Sequence, residues 1–370
     1  MKIGILTQPL RDNYGGILQN YALQEILKRD GHDPTTIDRH IDRSSNIIKN
    51  TAKWVIRHIR SEFVSDFLSQ GQKKILSQKQ AQFINQHIHR VGPFYKQKEF
   101  DNYISKATFD AYIVGSDQVW RPCYSANLEN FYLNFVPSII PKIAYAASFG
   151  VDKWEYSEIL TQQISPLIHR FKAVSVREKS AVKLCEEHLH TKAQWVLDPT
   201  MLLEASDYLK IIDKTPLNTS PSPYILTYLL EKLGKDSIIE NIQSLTGINK
   251  IIANISHSSF KRGESLYNRR NISVEEWLSN IYRASIIITD SFHGAVFSIL
   301  FNKPFIVKLN KVRGNTRLES LLTDFNLMNC LVSDDDNNIK IPSIDWDAVN
   351  THLKYRRKES LEFLRHALSV

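Results

Sequence analysis

Residues 285–307, SIIITDSFHGAVFSILFNKPFIV, constrain the fold more than any other stretch of the chain. Ile286, Ile287 and Ile288 form a short apolar run, followed by polar Thr289, Asp290 and Ser291 and then by His293 and Gly294. Helical spacing over 295–302 leads to a second apolar run at 305–307. That pattern predicts a buried parallel strand, a tight turn, a helix and another strand. In open α/β sheets, ligands bind beyond the carboxyl ends of the strands. A helix N-terminus there offers unpaired amides and partial positive charge to an anion. His293 is therefore expected where a proton must move beside a bound phosphate or carboxylate.

The same unit recurs along the chain. Residues 2–6 read as a strand, 7–16 (TQPLRDNYGG) as a loop, and 16–29 as an amphipathic helix with Leu18, Tyr21, Ala22, Ile26 and Leu27 on its apolar side. Gly15 and Gly16 let a ligand approach the backbone, although the full dinucleotide-binding spacing is absent. In 110–120 (DAYIVGSDQVW) a buried strand meets the turn Gly115–Ser116–Asp117–Gln118. Those polar residues suit either sugar hydroxyls or simple helix capping. Residues 142–149 are another buried strand, and 173–176 run straight into Arg177 at a helix start. At such an edge an arginine suits a phosphate or carboxylate. Residues 194–197 end in Asp198–Pro199–Thr200. A proline-rich stretch at 213–223 reads as a linker. A second strand–helix alternation starts at Tyr224, and Lys308, Lys311, Arg313 and Arg317 follow its last strand closely enough to overhang a cleft. The expectation is an α/β protein with two Rossmann-like domains facing across a cleft, 1–212 and 224–348, and a C-terminal helix over 349–370 packing back across both.

A chain of 370 residues is long enough for two domains. Three widely spaced cysteines form no disulfide framework, which fits a cytoplasmic protein. The N-terminus lacks a signal-peptide pattern, and no apolar run approaches the ~20 residues of a membrane span. No cluster with metal-ligand spacing stands out, so no metal is expected. The net charge of +8 is localised: residues 39–99 hold twelve Lys and Arg against four acids. Most of that surplus lies in a segment at 42–95 that reads as a helical insertion. Lys49, Lys53, Arg57 and Arg60 share one helical face, with Trp54, Val55 and Ile59 beside them. That face is either solvated or rests on an anionic membrane with Trp54 at headgroup level. Aromatics are not interleaved through the basic run, so nucleic acid is not expected.

Six segments now stand in order: GILTQPLRDNYGGILQNYALQ, DAYIVGSDQVW, AYAASFG, VSVREKSAV, VLDPT and ITDSFHGAVFSILFNKPF. Together they resemble the polysaccharide pyruvyl transferases. The resemblance implies a GT-B-like fold and transfer of pyruvate from phosphoenolpyruvate to a sugar as a cyclic ketal. It implies no cofactor besides that donor substrate, an acceptor that is often lipid-linked, and work at the inner face of a membrane. By resemblance His293 matches the catalytic histidine, Arg177 matches an arginine gripping the donor, and Arg313 falls where a donor-binding lysine is common. Ser291 stands where characterised branches carry arginine, so that contact is absent or comes from Lys308, Lys311 or Arg317. The expected donor side is Arg177, Ser291, Gly294, Lys308, Lys311, Arg313 and Arg317, with Asp290 orienting His293. The expected acceptor side is Asn13, Tyr14, Gly15, Gly16, Gln19, Ser116, Asp117, Gln118 and Trp120. Two rival readings are a nucleotide-sugar glycosyltransferase on the same fold and a non-catalytic sugar-binding component of a capsule assembly complex.

Overall fold

The computed structural model describes residues 1–41, 62–64, 68–125, 127–212, 222–230, 237–254, 259–261, 265–309, 316–333 and 339–369. The linker at 213–221, the basic face at 49–60, Lys311 and Arg313 lie outside the described residues. The first unit runs β1 (Lys2–Leu6), α1 (Tyr14–Arg29), β2 (Asp33–Arg39), β3 (Glu62–Val64), α2 (Gln70–Leu76), α3 (Gln78–His87), β4 (Arg90–Phe94), α4 (Gln97–Ile104) and β5 (Ala111–Val114). It continues through β6 (Lys142–Ala147), α5 (Glu158–Ile168), β7 (Ala173–Val176), α6 (Lys179–Leu189), β8 (Gln194–Trp195) and α7 (Ala205–Ile212). The second unit runs β9 (Ile225–Tyr228), α8 (Ser237–Thr246), β10 (Ile251–Ala253), β11 (Ser259–Lys261), α9 (Val274–Arg283), β12 (Ile286–Thr289) and α10 (Phe292–Leu300). Then come β13 (Phe305–Lys308), α11 (Thr316–Asp324), β14 (Leu331–Val332) and α12 (Trp346–Leu368).

The first sheet has seven strands in the order β4-β2-β1-β5-β6-β7-β8, all parallel. The second has five, also parallel, in the order β10-β9-β12-β13-β14. Ile286–Thr289 lies between two neighbours and is wholly buried, the reason its apolar run is continuous rather than alternating. Strand order reverses between β1 and β5 in one sheet and between β9 and β12 in the other, and ligand crevices open at such points.

The units share an apolar core rather than merely touching. Tyr14 at the start of α1 stacks on Trp277 of α9 at 5.4 Å and 10°, while Phe297 of α10 meets Trp277 edge-on. Leu226, Ile287, Leu364 and Ile5 belong to the same buried cluster. At the C-terminus, α12 crosses between the units: Arg365 forms a bidentate pair with Asp30, Arg357 donates to the carbonyls of Met201 and Leu203, and Arg356 reaches Asp324.

The expectation of a helical insertion at 42–95 needs correcting for its described part. Arg90–Phe94 joins the first sheet as its edge strand beside β2. Glu62–Val64 pairs antiparallel with Ser259–Lys261 of the second unit. Between them, the Leu76 carbonyl accepts from the Asn271 amide, and Gln80 donates to the Tyr14 hydroxyl, itself bonded to the Ile272 carbonyl. The segment is a bridge between the units. Charge counting alone overlooked the apolar positions, such as Phe83 and Ile84, that fix it in the core.

Candidate active site

The two reversal points face one another. After β1 the chain enters α1 at Tyr14, and the N-cap residue Asn13 makes no capping bond to the first-turn amides. After β12 it enters α10 with Ser291 as N-cap, its Oγ accepting from the Gly294 amide at 3.5 Å. His293 is the second residue of that helix, and its imidazole lies flat against Gly15. A Cβ on Gly15 would stand 1.9 Å from His293 Nδ1. Only a glycine lets the imidazole sit there. The ring is thus held between two helix N-termini, whose amides and dipoles favour a negatively charged ligand.

Below the imidazole lies a buried charge cluster. Arg177, at the end of β7, donates from Nη1 to Asp198 Oδ2 at 3.0 Å and from Nη2 to Asp117 Oδ1 at 3.1 Å. Its guanidinium also covers the ring of Phe292 at 4.6 Å. Asp198 accepts in addition from Ser116 Oγ, from the Thr200 amide and from the Thr200 hydroxyl. His293 Nε2 stands 3.7 Å from Asp198 Oδ2, within ion-pair reach but beyond a hydrogen bond. Burial alone would raise the Asp198 carboxyl, but His293, Arg177 and the Thr200 amide hold it well below the usual carboxylate range. Burial opposes ionisation of Asp117 too, and Arg177, His293 and Arg317 together lower it. Both carboxylates are therefore anionic at neutral pH.

Arg317, the second residue of α11, enters this cluster from the opposite unit. Burial and the nearby Arg177 push its guanidinium down to about 10, against the pull of Asp117 and Glu178. Its Nε is sealed from solvent and has no hydrogen-bond partner among the described residues. Arg177 Nε, His293 Nε2 and Glu178 Oε2 are likewise buried without a hydrogen bond. Polar atoms that are buried and unpaired are uncommon in folded proteins and call for a partner such as water or an ion. Two guanidiniums, Arg177 and Arg317, thus stand against the carboxylates of Asp117, Asp198 and Glu178, and Arg317 Nε is left for an anionic ligand to satisfy.

Placement of the remaining predicted residues is mixed. Asp290 does not face the imidazole: its Oδ1 accepts from the Leu230 amide at 2.7 Å and ties the ends of β9 and β12 together. Asp198 is the carboxylate at Nε2 instead, and its place at a strand's carboxyl edge was the signal that could have found it. Arg177 is not a free clamp, since both carboxylates already engage it. Gly294 packs against Thr289, where a Cβ would meet Oγ1 at 2.2 Å, so it permits close helix–strand approach rather than facing a ligand. Lys308 ends β13, half-buried.

On the other side, Trp120 is fully buried, donates to the Phe131 carbonyl and stacks on Tyr132, so it is core rather than an acceptor surface. Tyr14 is occupied by the inter-unit core. Gln19 is buried, bonding Thr7 Oγ1, the Gly16 carbonyl and the Ser116 amide; it and Ser116 form the scaffold beneath the site. Asn13, exposed, reaches Asp117 Oδ2 at 3.4 Å, and half-buried Gln118 lies nearby with its carbonyl accepting from Gln8. Gly16 packs under the Asn13 side chain. Among the described residues no group of His, Cys, Asp and Glu could hold a metal, and no helix is long and apolar enough to cross a membrane.

Comparison with known proteins agrees with this arrangement. The family model for polysaccharide pyruvyl transferase matches residues 13–311. Among solved structures, UGT89C1 of Arabidopsis thaliana complexed with UDP-L-rhamnose is similar at a TM-score of 0.55 and 7% identity, covering 98% of this chain and 97% of that one. The UDP-GlcNAc 2-epimerase of Methanocaldococcus jannaschii, in complex with UDP-GlcNAc and UDP, is similar at a TM-score of 0.50 and 14% identity, covering 96% and 99%. At such identities the likeness concerns the GT-B-like fold alone. No curated protein matches the chain.

Proposed function

The chain belongs to the polysaccharide pyruvyl transferase family and is a transferase; from that premise we propose that its donor is phosphoenolpyruvate and its acceptor a sugar of a polysaccharide precursor, lipid-linked in the cell. The observation that carries the donor assignment is the guanidinium of half-buried Arg317 near Arg177, its Nε sealed from solvent without a hydrogen-bond partner. Phosphoenolpyruvate presents a carboxylate and a phosphate, and this pocket offers a cation and two sets of amides to them.

His293 gives a proton to C3 of the enol, and C2 becomes electrophilic. One sugar hydroxyl adds to C2 and its proton returns to the imidazole. The C2–O bond to phosphate then breaks, the second hydroxyl adds, and the departing phosphate carries away that proton. Imidazole, with an unperturbed pKa of about 6.5, can cycle in this way near neutral pH. Asp198, ionised, stands 3.7 Å from Nε2 and faces the ring that moves the proton. Arg177 holds Asp117 and Asp198 in place, so its role is to set the geometry under the ring. Asn13 and Gln118 line the side from which the sugar approaches. Docking on an anionic membrane through 49–60 would bring a lipid-linked acceptor to this cleft, and sedimentation with anionic vesicles at low salt tests it.

The test is incubation with phosphoenolpyruvate and a panel of glycosides carrying paired hydroxyls, reading phosphate release and product mass together. Acceptor-dependent phosphate release with a pyruvyl-modified glycoside is expected, abolished by His293→Ala. Consumption of a nucleotide-sugar with no phosphate released from phosphoenolpyruvate would replace this reading with glycosyl transfer. Sugar binding with neither reaction would make the chain a binding component.

A further inference from the structure

The helix that delivers Arg317 has nine residues, Thr316–Asp324, with Arg317 and Glu319 in its first turn and an aspartate at its last position. An anion at a helix C-terminus is disfavoured by ~0.3–1 kcal/mol, so tertiary contacts must hold it. Asp324 is so held: Oδ2 accepts from Arg356 Nε at 3.0 Å and Oδ1 pairs with His352 Nε2 at 2.9 Å, both from α12.

Arg356 does not stop there. Its Nη2 donates to the Trp195 carbonyl at 3.3 Å and its guanidinium covers the Trp195 ring at 4.7 Å. Trp195 Nε1 in turn donates to the carbonyl of Arg177 at 3.0 Å. One side chain on the C-terminal helix therefore grips two elements from different units. One of them, through Trp195, carries Arg177. The other, through Asp324, carries Arg317. One turn further along, Ser360 Oγ accepts from the Leu197 amide, the residue before Asp198.

We propose that Arg356 is a positioning residue for the donor pocket: by clamping Trp195 and Asp324 together it sets the spacing between Arg177 and Arg317 into which the anion fits. This rests on the proposed donor reading. Arg356 touches no substrate and acts only through the two elements it joins. The family match ends at residue 311, so α11 and Arg356 lie beyond it, while Trp195 lies within it.

The test compares five variants with wild type, measuring phosphoenolpyruvate affinity by protection against thermal unfolding and then the KM values for donor and acceptor separately. Arg356→Met keeps the stem over Trp195 but releases Asp324. Asp324→Ala releases the same bond from the other side. Each is expected to weaken phosphoenolpyruvate about tenfold, as a displacement below 1 Å of a binding group would. Acceptor KM should stay unchanged, and the pair combined should be no worse than either alone. Arg356→Lys should recover part of the loss. Arg365→Ala removes the bidentate pair between the same helix and Asp30, so it controls for loosened docking of α12 and should leave donor affinity as in wild type.

If Arg365→Ala weakens the donor as much as Arg356→Met, or if Arg356→Met binds it as wild type does, the clamp is only structural and the proposal falls. Failure of the donor reading looks different: wild type itself would then show no protection by phosphoenolpyruvate.

Discussion

Substituting Gly15 by alanine separates the geometry of the imidazole from the stability of the fold. The added Cβ would lie 1.9 Å from His293 Nδ1 and 2.2 Å from Cγ, where ordinary contacts begin at 3.4 Å. The ring must retreat by about 1.5 Å, and displacement of a reacting group by about 1 Å costs roughly a hundredfold in rate. A loss of 10²- to 10³-fold in kcat/KM is therefore expected, on the order of 3–4 kcal/mol of transition-state stabilisation. Gly15 lies within the first turn of α1, a backbone that alanine adopts freely, and alanine is the better helix former by up to ~1 kcal/mol. The melting temperature should fall little or not at all. Phosphate release from phosphoenolpyruvate in the presence of acceptor, together with thermal unfolding of the same sample, reads both quantities. Wild-type activity in Gly15→Ala would show that the imidazole need not lie where it is, and the reasoning from its confinement would fail.

Other outcomes follow from the charge cluster. Arg317→Met removes a half-buried cation that Arg177 opposes and whose Nε has no hydrogen-bond partner, so the free protein should melt no lower than wild type. Protection by phosphoenolpyruvate should drop by about 10- to 100-fold in affinity, the scale of one or two charge-assisted bonds. Asp117 ionises below its usual range, held there by Arg177 and His293 against burial, so its contribution to stability is full above about pH 4. It is lost as pH falls through the folded value. Asp117→Asn should be destabilised most at neutral pH, and its deficit against wild type should shrink in unfolding curves below about pH 4. Asp198→Asn keeps the bonds to Thr200 and Ser116 in outline but removes the charge facing Nε2. It should lower kcat, because the carboxylate 3.7 Å from Nε2 no longer faces the ring that moves the proton.

The fold was legible because its strands carry their burial in the sequence. Ile286–Ile288 could be placed as an inner strand from composition alone, and the recurring strand–turn–helix unit led to two parallel sheets with their carboxyl edges opposed. His293 was legible for the same reason, as a titratable residue just after such an edge. Which residues at those edges face the ligand was not. Trp120 and Gln19 have the chemistry of sugar contacts, but their side chains turn inward to bond Phe131 and Ser116. A turn's rotation is set by packing that no local pattern records. The carboxylate beside the imidazole was misassigned for a similar reason. Proximity in sequence suggested Asp290, whereas pairing of the two units brings Asp198 to the imidazole across 95 residues of chain. Arg317 was one of four basic residues in a polar run, and its place near Arg177 comes from the folded chain alone.

The most direct measurement of the central claim is the isotopic content of the product formed in heavy water. If His293 protonates C3 of phosphoenolpyruvate, wild-type enzyme acting on a glycoside acceptor in deuterium oxide should yield a ketal whose methyl group carries one solvent-derived deuteron, with phosphate released in equal amount. An enzyme that forms its glycoside product without using phosphoenolpyruvate, or a His293→Ala variant that delivers the deuteron at the wild-type rate, would contradict it.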